Sequence, residues 1–167
     1  CENLLVPVAA SSTHVGFCAL RLEPIWMSLG QAAGHAAAMA AQSGTAVQRV
    51  DVPALQQWLR EDKSAAIYVS DVLPGHPLFA ATQWWGTAGG LHGLNPMPKK
   101  PGQRGANLHG QYYQANPGHA AELQTPLDAA TRERWLGLAT ALGFQSPALA
   151  KAPTRGDFIR AAYAAKK

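Results

Sequence analysis

The chain opens on a continuous apolar run, Asn3-Leu4-Leu5-Val6-Pro7-Val8, of strand length and without alternation. A strand apolar on both faces suits the interior of a parallel sheet. One strand makes no sheet, so its neighbours are expected from outside this segment. A small-residue loop, Ala9 to Thr13, leads through His14 to Arg21-Leu22-Glu23-Pro24, and then the period becomes helical. A helix is predicted from Pro24 or Ser28 to Ser43, with Gly44 at the usual stop position. Along it Gly30, Gly34 and Ala38 recur every fourth residue, with Ala33, Ala37 and Ala41 beside them. That spacing stacks them on one face and leaves a smooth surface that a backbone or a flat ligand can approach closely.

Four more helices follow from caps and periodicity. Asp51 as N-cap with Pro53 in the first turn predicts a helix to about Asp62, its apolar stripe made by Leu55, Trp58 and Leu59. Another is expected over about Pro77 to Gly86, carrying Phe79, Gln83, Trp84 and Trp85. From Gly86 to Gly118 the chain is rich in Gly, Pro, Asn and His, which predicts a long loop. Thr125 as N-cap with Pro126 at the first position predicts a helix to Gly143. A last helix is expected from near Thr154 to the C-terminus, with Phe158, Ile159, Ala162 and Tyr163 inward. The fold class expected is α+β and mainly helical: one buried strand, then helices.

Composition narrows the classes. Of 167 residues 47% are hydrophobic and only 14% charged, which argues against intrinsic disorder. The low charge also suggests surface that something else covers. The net +4 is uneven: through Leu94 there are four Lys/Arg against six Asp/Glu, and from Asn95 onward ten against four. Such asymmetry predicts two units with different surroundings. The uncharged run Pro24 to Gln48 holds Gln31, His35, Gln42 and mostly alanine, too polar for a membrane span. Cys1 and Cys18 are too few for a disulfide framework and have no C-x-x-C spacing. A chain opening on Cys1, with no signal-like segment, is expected to be a fragment, a processed product or one piece of an assembly.

The block Asn3 to Gly44 resembles the carboxy-terminal segment of the FAD-dependent oxidoreductase family, which has a glutathione-reductase-like flavin fold. The residues that carry the resemblance are Asn3-Leu4-Leu5-Val6, Ser11-Ser12-Thr13-His14, Arg21-Leu22-Glu23-Pro24 and Gly30-Gln31-Ala32-Ala33-Gly34-His35-Ala36-Ala37-Ala38. Four pieces in order make it specific, over about a quarter of the chain. Pro7-Val8 departs from the Ala-Gly of many relatives. The resemblance implies that residues 1–50 complete an α/β FAD-binding domain and that residues 51–167 form a helical extension. It implies FAD as cofactor, hydride transfer between an organic small-molecule substrate and the flavin, and cofactor contacts at Ser12, Thr13, Arg21, Glu23, Pro24, Leu29, Gly30, Gln31 and Gly34. The G-x-G-x-x-G fingerprint that would hold the dinucleotide is absent from this sequence. The partner implied is therefore the missing amino-terminal part of the flavoprotein.

A helix start at Ser28-Leu29-Gly30-Gln31 would offer unpaired N–H groups and partial positive charge to a reduced flavin. His14 is the candidate catalytic residue, a proton handler near neutral pH, against a structural loop histidine. Arg21 and Glu23 stand in a nearly uncharged region and are expected to pair with each other. His35, amid alanines, is expected to be buried and structural.

A second resemblance, to an S-layer-homology-like repeat, rests on Asp71-Val72-Leu73-Pro74-Gly75-His76-Pro77, the helix after it, Gly89-Gly90-Leu91-His92-Gly93, and Thr154-Arg155-Gly156-Asp157-Phe158. It implies a non-enzymatic helical module that binds cell-wall polysaccharide, and a secreted or cell-envelope location; the plainer alternative is an appendage packed on the flavin domain. Lys99, Lys100 and Arg104 with Tyr112 and Tyr113 are too few for a nucleic-acid footprint. His76, His92, His109 and His119 lack the spacing of a metal site.

Overall fold

The computed structural model describes residues 3–94 and 119–166. The chain divides into two compact units, Cys1–Ser64 and Ala65–Lys167. It is mainly helical, and the expected α/β layer is not seen among the described residues.

In the first unit the opening apolar run is not a buried strand. Leu4, Leu5, Val6 and Val8 are 57%, 39%, 54% and 51% exposed. No strand among the described residues lies beside them to take their backbone groups. Only the start is anchored, where Val47 N–H donates to Asn3 Oδ1 at 3.0 Å. Helix α1, His14–Leu20, falls just after the expected loop, where no element was expected; Thr13 caps it by accepting from Gly16 N–H.

Helix α2, Glu23–Ser43, ends where the sequence predicts, at Gly44 in the left-handed region (φ 63°). Its start is earlier than Ser28. Leu22 is extended, Pro24 stands in the first turn, and Ile25 and Trp26 N–H already turn back to Leu22 C=O. A short 3₁₀ turn, Val47–Arg49, leads to α3, Val52–Glu61, capped by Asp51 Oδ1 on Ala54 N–H as expected. Helix α3 packs on α2. Two side-chain links, Ser64 Oγ to Gln31 Oε1 at 2.7 Å and His35 Nε2 to Asp62 Oδ2 at 2.7 Å, tie the end of α3 to successive turns of α2. His35 is therefore structural but only half-buried, its ring edge against Trp58.

The second unit holds the hydrophobic core. Trp85, Trp135 and Phe158 are sealed from solvent and meet pairwise at centroid distances of 5.1 to 5.5 Å. They come from α4 (Phe79–Thr87), α5 (Ala129–Ala141) and α7 (Arg155–Ala165). Phe158, Ile159 and Ala162 face inward as predicted, and Tyr163 is half-buried. Gly90 is required by close approach: a Cβ there would collide with the Trp85 indole, and its carbonyl receives Trp135 Nε1–H at 2.7 Å.

Helix α5 starts at Ala129, capped by Asp128 on Thr131 N–H, rather than at Thr125-Pro126. Those two residues instead run antiparallel to Pro153 and Thr154, with Leu127 N–H to Pro153 C=O and Arg155 N–H to Thr125 C=O, both at 3.0 Å. A five-residue helix, α6 (Pro147–Lys151), was not anticipated; Ser146 caps it. Of the expected Gly86–Gly118 loop, residues 86–94 finish α4 and turn. The rest, with Lys99, Lys100, Arg104, His109, Tyr112 and Tyr113, lies outside the described residues, as does Cys1. Cys18 is free and exposed.

Candidate functional site

The predicted site residues all belong to the first unit, and they lie along the chain rather than around a closed cavity. Ser12, Thr13 and His14 stand at the start of α1. Thr13 Oγ1 is engaged as a cap, and Ser12 Oγ donates to Thr13 C=O at 3.0 Å. The exposed His14 ring has no hydrogen-bonding partner among the described residues. Arg21 closes α1 through its backbone, and Glu23 and Pro24 open α2. Arg21 and Glu23 do not pair: both are exposed, and no ion pair joins them.

On α2 the arrangement follows from 100° per residue. Gly30 and Gly34 are exposed, and a Cβ built on either meets no atom within 4 Å. Leu29 lies about a third of a turn away, on the side of Ala36 and Ala40, which are the first unit's only buried apolar residues among those described. Gln31 is held by Ser64. Residues 28–31 sit in the second turn, so their N–H groups point to carbonyls four residues back. The helix start expected there to meet a flavin is displaced to Leu22-Glu23-Pro24, where Pro24 has no N–H and Glu23 supplies a carboxylate.

Sequence reasoning missed Trp26. Its Nε1–H is enclosed and unpartnered. Trp26, Gly30 and Gly34 follow at intervals of four, so an unspent donor stands one turn before two bare glycines. An indole N–H donates only and normally finds a partner when enclosed; the 26/30/34 spacing was the available signal.

The residues of this unit also match a known family. The family model described as FAD dependent oxidoreductase matches residues 1–59. That is 59 of 167 residues, ending inside α3. No curated protein and no solved structure matches the chain. The match supports an FAD-dependent oxidoreductase portion and, with it, FAD binding.

The remaining chemistry is sparse. Among the described residues no three His, Cys, Asp or Glu side chains gather as a metal site, and no helix is long and apolar enough to cross a membrane. In the second unit the two clearly shifted carboxyls stand at helix starts, Asp128 as the N-cap of α5 and Asp157 in the first turn of α7. Asp128 is held below the usual carboxylate range by Thr131 N–H, and Asp157 by the Thr154 hydroxyl and then Arg160.

Proposed function

We propose that residues 1–64 are the closing piece of a FAD-binding domain, and that the protein containing them transfers hydride between an organic small molecule and the flavin. The observation that carries this reading is a unit with almost no core of its own inside the region matched by the family model. Leu4, Leu5, Val6, Val8, Val15, Phe17, Leu22, Ile25 and Met27 are all at least 39% exposed. So concentrated an apolar surface marks an interface. Residues 4–8, apolar on both sides, would enter a parallel sheet of the dinucleotide-binding part and bury those side chains there.

The chain fits FAD in part. The open Gly30–Gly34 face suits a flat ligand; the Trp26 indole N–H is enclosed, and the helix-start donors expected at 28–31 are not available. When bound, FAD supplies the hydride acceptor. Gly30 and Gly34 would let its ring lie close to the backbone, and His14 would take or return the substrate proton at an imidazole nitrogen. Ser12, Thr13, Arg21, Glu23, Pro24, Leu29 and Gln31 would orient the loop and helix around it.

Co-expression with the dinucleotide-binding part tests this. A yellow complex is expected, and Gly30→Trp, which fills the open face, should lose the flavin absorbance while leaving the complex assembled. A colourless wild-type complex would refute the reading.

A second reading of the second unit is a non-enzymatic module that binds cell-wall polysaccharide. Two pieces of the S-layer-like pattern, at Asp71 and at Thr154-Arg155-Gly156, meet residues 121–127. Asp71 Oδ1 and Oδ2 accept from Ala121 and Glu122 N–H at 2.8 and 2.7 Å, and Arg155 Nη1 reaches Glu122 Oε2 at 3.1 Å. Co-sedimentation of residues 65–167 with purified wall polysaccharide is the expected result, and its failure would leave the unit a structural appendage.

A further inference from the structure

Arg60, in the last turn of α3, is 5% exposed. Its Nε is sealed from solvent without a partner, and neither Nη bonds another residue among those described. The two carboxylates that follow it in the sequence point to other sides of the helix. Glu61 accepts from Gln57 Nε2 at 2.9 Å, and Asp62 is paired with His35.

A guanidinium is always ionised, and burying it without an anion is strongly unfavourable. The partial negative charge at the C-terminal end of α3 offsets only a small part of that. Arg60 is thus a nearly buried guanidinium, its Nε sealed and no carboxylate of the described residues paired with it.

We propose that Arg60 anchors an oxyanion site, at which a phosphate or carboxylate group docks on the guanidinium. Planar, paired N–H donors match two oxygens of either group, geometry that a lysine ammonium does not offer. The site is independent of the flavin reading, because it lies at the end of α3 and needs no FAD.

Calorimetric titration of the full chain, without FAD and at constant ionic strength, uses sodium phosphate and sodium acetate as probes. Wild type should bind at least one of them saturably; uptake of phosphate alone assigns a phosphoryl ligand, and of acetate alone a carboxylate. Arg60→Met keeps the stem and removes the charge, and should weaken binding by about tenfold or more. Arg60→Lys should fall between. If Arg60→Met fails to fold by circular dichroism, Arg60→Lys decides, and affinity equal to wild type overturns the proposal. So does a wild type that binds neither anion, or a folded Arg60→Met that binds as wild type does.

Discussion

Thr154 and Asp157 show how much one pair of side chains settles. Thr154 Oγ1 accepts from Asp157 N–H at 3.1 Å and donates to Asp157 Oδ2 at 2.7 Å, so two residues close the first turn of α7. The hydroxyl favours the ionised carboxylate and holds Asp157 below the usual range, with Arg160 helping. A carboxyl whose pKa is lower when folded stabilises the fold above its unfolded pKa. That contribution disappears as pH falls through the folded value. The second unit should therefore melt at progressively lower temperature below about pH 4. Thr154→Ala should cost about 1 kcal/mol at pH 7, the usual loss on removing an N-cap. It should also flatten the acid dependence, since the first cause of the shift is gone. Thermal melts of both proteins from pH 2 to 7 check this, and parallel curves would contradict it.

At the scale of elements, caps with a local signal were legible and those decided at a distance were not. Gly44 and Asp51 announce a stop and a start within three or four residues, and the structure puts both where the sequence does. Thr125-Pro126 reads as a helix start just as well as Asp128. The choice is made by pairing with Pro153 and Thr154, which no local window contains. Helix α1 was missed because Val15 and Phe17 remain exposed, so nothing in its seven residues has the period of a packed helix. The small-residue face of α2 was legible, and it carries an opposed pair of expectations. With no atom within 4 Å of a Cβ at position 34, Gly34→Ala should stabilise the isolated chain by about 0.5–1 kcal/mol through helix propensity. In the flavin complex the same methyl group would intrude on the open face and reduce cofactor occupancy. Urea melts of the chain and flavin content of the complex measure the two effects. A gain in stability with no loss of flavin would mean that this face does not meet the cofactor.

Across the whole molecule the two units differ in what stabilises them. Every member of the large core cluster lies between Val69 and Ala162, whereas the first unit buries only Ala36 and Ala40 among its described apolar residues. Burial of apolar surface is the dominant favourable contribution to folding, at roughly 25 cal/mol per Å². A unit that leaves Leu4, Val6, Val15 and Met27 more than half exposed forgoes much of it. Its 21-residue helix α2 is long enough to keep some structure alone, while α1 and α3 are shorter than isolated helices usually tolerate. Produced separately, residues 65–167 should melt cooperatively and keep a near-ultraviolet signal from Trp84, Trp85 and Trp135. Residues 1–64 should unfold without a sharp transition and bind a hydrophobic dye. On the proposed reading, adding a dinucleotide-binding part should then sharpen the transition and displace the dye, because the exposed apolar run would gain a sheet. A sharp, dye-free transition of residues 1–64 alone would show that this surface needs no covering, and would remove the physical ground for reading it as half of a flavin domain.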